Sequence, residues 1–328
     1  VRKTITDRHV HLVLENDDNI ADFLKRNSQN IPLHYVAQWN DDFHHGMHVL
    51  LTGEKQGYYE DYTNEKTLNP PSYYTARTLA EGFAYQEDPS PYREGEIRGQ
   101  TSKHLPPTSF VSFIQNHDQI GNRAFGDRLS SLAEEEALEC AAFIYLLAPS
   151  IPLIYMGEEW KASTPYQFFC DFNDDLNKAV TKGRRQEFSK FPEFSNPQLR
   201  EKIPDPCSLE TFRNSKLQWQ ETQTEPYSRF LGLYKRLLTL RKKEIIPFIN
   251  TIDQTKTKFQ VYSEGAFSVS WQNNKEESLV LLANMGNDPT HIENFSSDKC
   301  LTANSEQKLS HFNKNQELLP RSVFWFKA

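Results

Sequence analysis

The chain has 328 residues, 37% of them hydrophobic and 25% charged, which suits a globular protein large enough for one big domain and a smaller one. Its net charge of −7 argues against a nucleic-acid partner, because such binding is driven by a basic surface that releases counterions. Cys140, Cys170, Cys207 and Cys300 form no CxxC pair, which argues against a zinc ribbon or a dense disulfide framework and suits a reducing compartment.

The start, Val1-Arg2-Lys3-Thr4-Ile5-Thr6-Asp7, lacks the apolar core of a secretory signal. It also begins with Val rather than Met, so residues upstream are expected to be missing. Apolar runs ending in polar residues predict buried strands at Leu12–Asn16, Tyr35–Asn40, Phe110–Asp118 and Pro152–Glu158. Helical spacing predicts helices over Asp18–Arg26, Phe43–Leu51, Ser130–Leu147 with Ser130 as N-cap, and Tyr227–Glu244. Such alternation of strand and helix predicts a parallel α/β sheet. The stretch Cys140–Met156 is apolar, but Pro149, Ser150 and Pro152 break it into a helix and a strand, so no membrane span is expected. Gln86–Pro107 and Asp171–Pro226 lack clear pattern and are expected to be excursions with short helices. Beyond Pro247, strands at Lys258–Ser263, Ala266–Trp271, Ser278–Asn284 and Val323–Phe326 predict a small antiparallel β domain.

The polar residues at the strand ends are the candidates for chemistry. Glu15 follows an apolar run and is either a general acid or a residue that caps the next helix or faces solvent. Asp118 ends a clearer run, beside Asn116 and His117; it either stabilises developing positive charge or caps the turn that follows. Trp39-Asn40-Asp41-Asp42-Phe43-His44-His45 offers a stacking face and polar contacts for a hydroxyl-rich ligand. The same segment allows a metal at His44 and His48 with Asp41 and Asp42, though without HExxH, or a plain N-cap at Asp41 or Asp42. Glu158 either lines a cleft or supports the site from beneath. No GxGxxG, Walker A or GxSxG motif is present, so nucleotide and serine-hydrolase readings lack support.

Two motifs connect these residues to a known family. Phe113-Ile114-Gln115-Asn116-His117-Asp118 resembles the α-amylase family motif at the end of the seventh barrel strand, and Leu12-Val13-Leu14-Glu15 resembles its fifth-strand motif. Ala37 to His45, Leu51-Thr52-Gly53-Glu54, Gly57-Tyr58-Tyr59, Gln119 to Arg123 and Pro204-Asp205-Pro206 narrow the resemblance to the malto-oligosyltrehalose trehalohydrolases, from residue 1 to about 245. The resemblance implies the second half of a TIM (β/α)8 barrel over 1–246 (about strands five to eight), then a C-terminal antiparallel β domain over 247–328. It implies retaining cleavage of the α-1,4 bond next to a terminal trehalose, in the cytoplasm, with no metal or cofactor. Glu15 would be the acid/base and Asp118 the transition-state stabiliser. Trp39, Asn40, Asp41, Asp42, His44, His45, His117, Gln119, Asn122 and Arg123 would contact the α-glucan. The family's nucleophile is an Asp in an Arg-x-Asp-Ala context upstream of the acid. Nothing before Glu15 matches it, and Asp7 lies in a polar stretch, so the first barrel half is expected to be missing and this chain alone inactive. A non-catalytic sugar-binding remnant and another α-glucan enzyme, such as a branching enzyme, are the competing readings.

Overall fold

The computed structural model describes residues 4–5, 7–188, 196–293, 295 and 299–327. Strand β1 (Val13–Leu14) leads to β2 (Ala37–Trp39) and helix α1 (Asp41–Thr52). Helix α2 (Pro71–Glu81) precedes a hairpin of β3 (Asp88–Ser90) and β4 (Glu96–Arg98), then β5 (Phe110–Ser112). Helices α3 (His117–Gly121), α4 (Leu129–Leu132) and α5 (Glu135–Leu147) lead to β6 (Ile151–Pro152). A helical stretch follows: α6 (Asp174–Phe188), α7 (Pro197–Arg200), α8 (Leu209–Asn214) and α9 (Tyr227–Leu240), continued by a π-turn at Arg241–Ile245 and α10 (Ile246–Ile249). The C-terminal part adds β7 (Lys258–Val261), β8 (Ala266–Gln272), β9 (Ser278–Asn284), β10 (Thr290–His291), β11 (Cys300–Ala303), α11 (Glu306–Asn315), β12 (Glu317–Leu318) and β13 (Ser322–Lys327).

The chain divides into two compact units. Val1–Ile114, Glu134–Leu153 and Lys235–Ala328 form the first; Gln115–Ala133 and Ile154–Tyr234 form the second. The first unit contains a four-stranded parallel sheet in the order β1-β2-β5-β6, so neighbours in the sheet are neighbours in this sequence of strands. Strands β1, β2 and β5 lie within the apolar runs that predict them, each only two or three residues long, whereas β6 shares only Pro152 with the run Pro152–Glu158, the rest of which forms no strand. Phe110 of β5 packs with Ala21, Leu24, Phe83 and Leu105. Gly82 makes that packing possible: with φ at 98°, a Cβ there would sit 2.1 Å from the Phe110 ring, so any larger residue would push the strand away.

The same unit holds an antiparallel five-stranded sheet in the order β11-β13-β9-β8-β7. The predicted C-terminal strands fall within it, each within two residues of its expected ends. Trp271 and Trp325 stack in it at 5.8 Å, and the Trp325 indole N–H donates to the Phe143 carbonyl of α5 at 2.9 Å. From Ala137 to Leu147 most of α5 is buried, which accounts for a helix apolar on nearly every side.

Several expected elements take another form. Asp18–Arg26 yields only the 3-10 turn Ala21–Leu24, because Asn19 adopts a left-handed φ of 56° and sends its amide to Asp42 at 2.8 Å. Ser130 is not an N-cap. The helix it was to open is split at Ala133, whose backbone is extended, and the first piece starts at Leu129, whose N–H is taken by the Gln115 side chain at 3.1 Å. Gln86–Pro107 forms a β-hairpin instead of short helices. Asp61 gathers it by accepting from the Ser90 hydroxyl at 2.5 Å and the Tyr92 N–H at 2.7 Å, and Glu94 and Gly95 turn it with positive φ. Among its described residues the stretch Asp171–Pro226 carries short helices as expected, although α6 runs for 15 residues; residues 189–195 lie outside the described part.

Candidate active site

Two polar clusters follow the ends of parallel strands, one in each unit. In the first, Glu15 comes directly after β1, exposed, with no hydrogen bond or ion pair to any described residue. It does not cap the next helix, whose N-cap is Ile20. Its acidic neighbours share one cation: Arg93 pairs with Asp17 and Asp18, each at 2.9 Å. Gln38 of β2 donates to the Asn16 carbonyl at 2.6 Å and so fixes the backbone beside Glu15.

The segment after β2 is more buried than its composition suggests. Trp39 is half-buried, edge-on to Phe113 at 5.8 Å. Asn40 is the N-cap of α1; its side chain accepts from the Phe43 N–H at 3.4 Å and donates to the Gly82 carbonyl at 2.8 Å. Neither Asp41 nor Asp42 is the cap. Asp41 lies half-buried in the first turn, where a carboxylate is favoured by the helix dipole.

Asp42 is fully buried and is the hub of the region. One oxygen accepts from the Tyr62 hydroxyl at 2.6 Å and meets Arg98 at 2.9 Å; the other accepts from Asn19 at 2.8 Å and from the backbone of Ala84 and Tyr85 at 2.7 and 3.2 Å. A carboxylate engaged this fully by the protein has little left to offer a ligand. Burial alone would lower the Arg98 pKa, but Asp42 and Tyr62 outweigh it and raise it.

His44 is buried, with Nδ1 2.8 Å from the Ile114 carbonyl and Nε2 3.2 Å from the Tyr59 hydroxyl. Burial, helped by neighbouring His48, pulls its pKa down to about 3, so the ring is neutral in the fold. His45 is half-buried against Tyr58 and Tyr62, at 4.7 and 5.0 Å. Its pKa lies well below the usual range because burial penalises the charged ring and because a proton there would be opposed by His44, Arg98 and His48 beside it. His48 pairs with Glu54 at 2.8 Å. Among the described residues no group of three or more His, Cys, Asp or Glu could hold a metal ion.

In the second unit Asn116 is the N-cap of α3. Its side chain accepts from the N–H groups of Asp118 and Gln119 at 2.8 and 3.4 Å, while the Gln119 side chain accepts from the Asn116 N–H at 3.0 Å, forming a reciprocal capping box. Asp118 therefore does not cap the helix. It stands exposed in the first turn and accepts from the Asn122 amide at 2.7 Å. His117 is exposed as well, and Arg123 lies 3.7 Å from Asp127. Glu158 is buried and accepts from the Tyr234 hydroxyl at 3.1 Å, which is the supporting role rather than the cleft-lining one.

The sequence passes over the residues that organise the first cluster. Arg98 and Tyr62 have no local pattern that announces them, and Arg98 falls in the stretch without clear periodicity.

The fold is similar to that of a solved structure. A Salmonella typhimurium protein described as an alpha amylase matches 100% of this chain and 52% of its own length, at TM-score 0.88 and 38% identity. Bacillus licheniformis trehalose-6-phosphate hydrolase matches 97% of this chain and 56% of its own at TM-score 0.50 and 18% identity, a likeness of fold alone. The chain thus has the α/β fold of the α-amylase family.

Its relatives in sequence are malto-oligosyltrehalose trehalohydrolases. Identity is 40% to that of Deinococcus radiodurans over 71% of this chain and 37% of the relative. It is 34% to that of Brevibacterium helvolum over 84% and 44%, and 31% to that of Mycobacterium tuberculosis over 87% and 46%. No protein-family model matches. The chain spans less than half the length of these curated relatives. It is homologous to the malto-oligosyltrehalose trehalohydrolases, as its motifs imply.

Proposed function

We propose that the polypeptide carrying these residues hydrolyses the α-1,4-glucosidic bond next to the terminal trehalose of maltooligosyltrehalose, releasing trehalose with retention of configuration. The observation that carries this reading is the homology to trehalohydrolases over 71 to 87% of the chain. In it, β1, β2, β5 and β6 are the last four strands of a (β/α)8 barrel within residues 1–246, and 247–328 form the C-terminal β domain. Function in such barrels lies at the C-terminal ends of the strands, where Glu15 and the segment after Trp39 stand.

Glu15 protonates the leaving oxygen and then activates water to release the glycosyl-enzyme. Asp118 stabilises the oxocarbenium-like transition state. Trp39, Asp41, His45, His117, Gln119, Asn122 and Arg123 contact sugar, while Asn40, Asp42 and His44 hold the segment after β2 in place. The retaining route also needs a carboxylate nucleophile about 5–5.5 Å from the acid. The reading assigns it to residues outside this sequence, since no Arg-x-Asp-Ala precedes Glu15. The chemistry needs neither metal nor cofactor, and the cytoplasm is its setting.

The test is release of free trehalose when the polypeptide, expressed from its native reading frame, meets maltooligosyltrehalose. Glu15→Gln is expected to lower kcat by about 10²–10⁴. No trehalose in the unaltered protein refutes the reading. New branch points in its place would mark another α-glucan enzyme, and binding without turnover would mark a sugar-binding remnant.

A further inference from the structure

Within the second unit lies a cavity of about 550 Å³, lined by Phe125, Arg128, Lys161, Thr164, Gln167 and Tyr227 among others. Its volume falls in the range of sites that hold a small ligand. Three of these residues carry an enclosed polar atom without a hydrogen-bond partner: Nη2 of Arg128, Oγ1 of Thr164 and Oε1 of Gln167. Arg128 and Thr164 are only 3% and 8% exposed. Buried polar groups are nearly always paired, so three orphans on one cavity call for an explanation.

The Arg128 guanidinium is otherwise firmly held. Nε donates to the Thr164 carbonyl at 2.6 Å, Nη1 donates to the Met156 carbonyl at 2.9 Å, and the Tyr155 ring lies 5.8 Å away. One arm of the fork remains unspent. The orphans are complementary in kind: Arg128 offers a donor, Gln167 an acceptor, and Thr164 both. A neutral hydroxyl, which also donates and accepts, satisfies all three. An anion would suit Arg128, Lys161 and the Thr164 hydroxyl but would leave the Gln167 acceptor facing a like charge. It would also enter a region where Glu158, Glu159 and Glu221 already act on Arg128 and where Asp127 forms part of the wall. Phe125 and Tyr227 supply ring faces against which the apolar side of a sugar can pack. All three atoms are enclosed in this structure, so a ligand in the cavity would reach them through small rotamer changes of the kind binding commonly brings.

We propose that this cavity is a further glucosyl-binding site, holding a sugar unit through Arg128, Thr164 and Gln167; its substrate class rests on the function proposed above. The test is hydrogen exchange followed by mass spectrometry on the natively expressed polypeptide, with maltose as probe. Maltose is expected to protect peptides covering 125–131 and 161–167. Thr164→Val and Gln167→Met should each raise the maltose concentration for half-protection about three- to tenfold. Neither should lower Tm, because each removes an atom that bonds to nothing. Absent protection, protection unchanged by both variants, or stronger protection by inorganic phosphate than by maltose would overturn the proposal. So would a fall of several degrees in Tm for both variants, which would reveal an internal partner. Trehalose release is measured on the same samples. Release without protection refutes this site alone; protection without release refutes the hydrolase reading and leaves the site standing.

Discussion

Asn40 and Asn116 stand in the same relation to the helices they open. Each caps with its side chain, and each is followed two residues later by an aspartate in the first turn. The two aspartates then diverge. Asp42 is sealed in, held by Arg98, Tyr62, Asn19 and two backbone N–H groups. Asp118 faces solvent with Asn122 as its hydrogen-bonding neighbour. A cap is decided by three or four consecutive residues. Whether the acid beside it becomes a structural anchor or an accessible group is decided by side chains far along the chain.

The largest expected consequence separates these two acids directly. Asp42→Asn leaves the buried Arg98 without its counter-charge and should cost about 3–5 kcal/mol in urea unfolding. A loss near zero would show that the ion pair does not anchor the region. The second consequence concerns pH. The folded pKa of His44, about 3, lies below its ordinary 6.5, so the unfolded chain takes up a proton first as pH falls. Its contribution is complete above pH 6.5 and is lost between 6.5 and 3, at about 1.4 kcal/mol per pH unit. His44→Gln should flatten the dependence of unfolding free energy on pH in that window by one proton's worth; an unchanged slope would refute it.

The caps come next. Asn116→Ala should cost about 1 kcal/mol. Asn40→Ala should cost more, about 2 kcal/mol, because it also leaves the Gly82 carbonyl without its donor. Equal losses on thermal unfolding would mean that the Gly82 contact adds nothing. The smallest effect is expected for Asp118→Asn, within about 0.5 kcal/mol of the parent stability. A large destabilisation there would erase the contrast between the two acids.

What could be read from the sequence divides along the same line. The apolar runs reveal the inner strands β2 and β5, which are largely buried, whereas the outer β1 and β6 place Val13 and Ile151 at the surface. The polar residues that close the runs are likewise visible. The hairpin of β3 and β4 is not, since Pro89, Glu96 and Arg98 give no alternation and Asp61, well upstream, gathers it. Helix α11 leaves a signal in the Ser305 cap and in Leu309 and Phe312, three apart, but two apolar residues are too few to stand out. At the candidate site the sequence marks the right segments. It cannot sort Asp42 from Asp118, or His44 from His45, because burial is conferred by Arg98, Tyr62 and Tyr59.

Arg241, in the π-turn after α9, is buried and donates to the carbonyls of Leu146, Ala148 and Ser150, where α5 passes into β6. Burial brings its pKa down to about 10 and leaves it charged at neutral pH. The span between donor and acceptors reaches 95 residues. On a ribosome adding roughly 5–20 residues per second, those carbonyls wait on the order of ten seconds for their partner. The last parallel strand is therefore completed late in synthesis, by a residue made long after the strand itself.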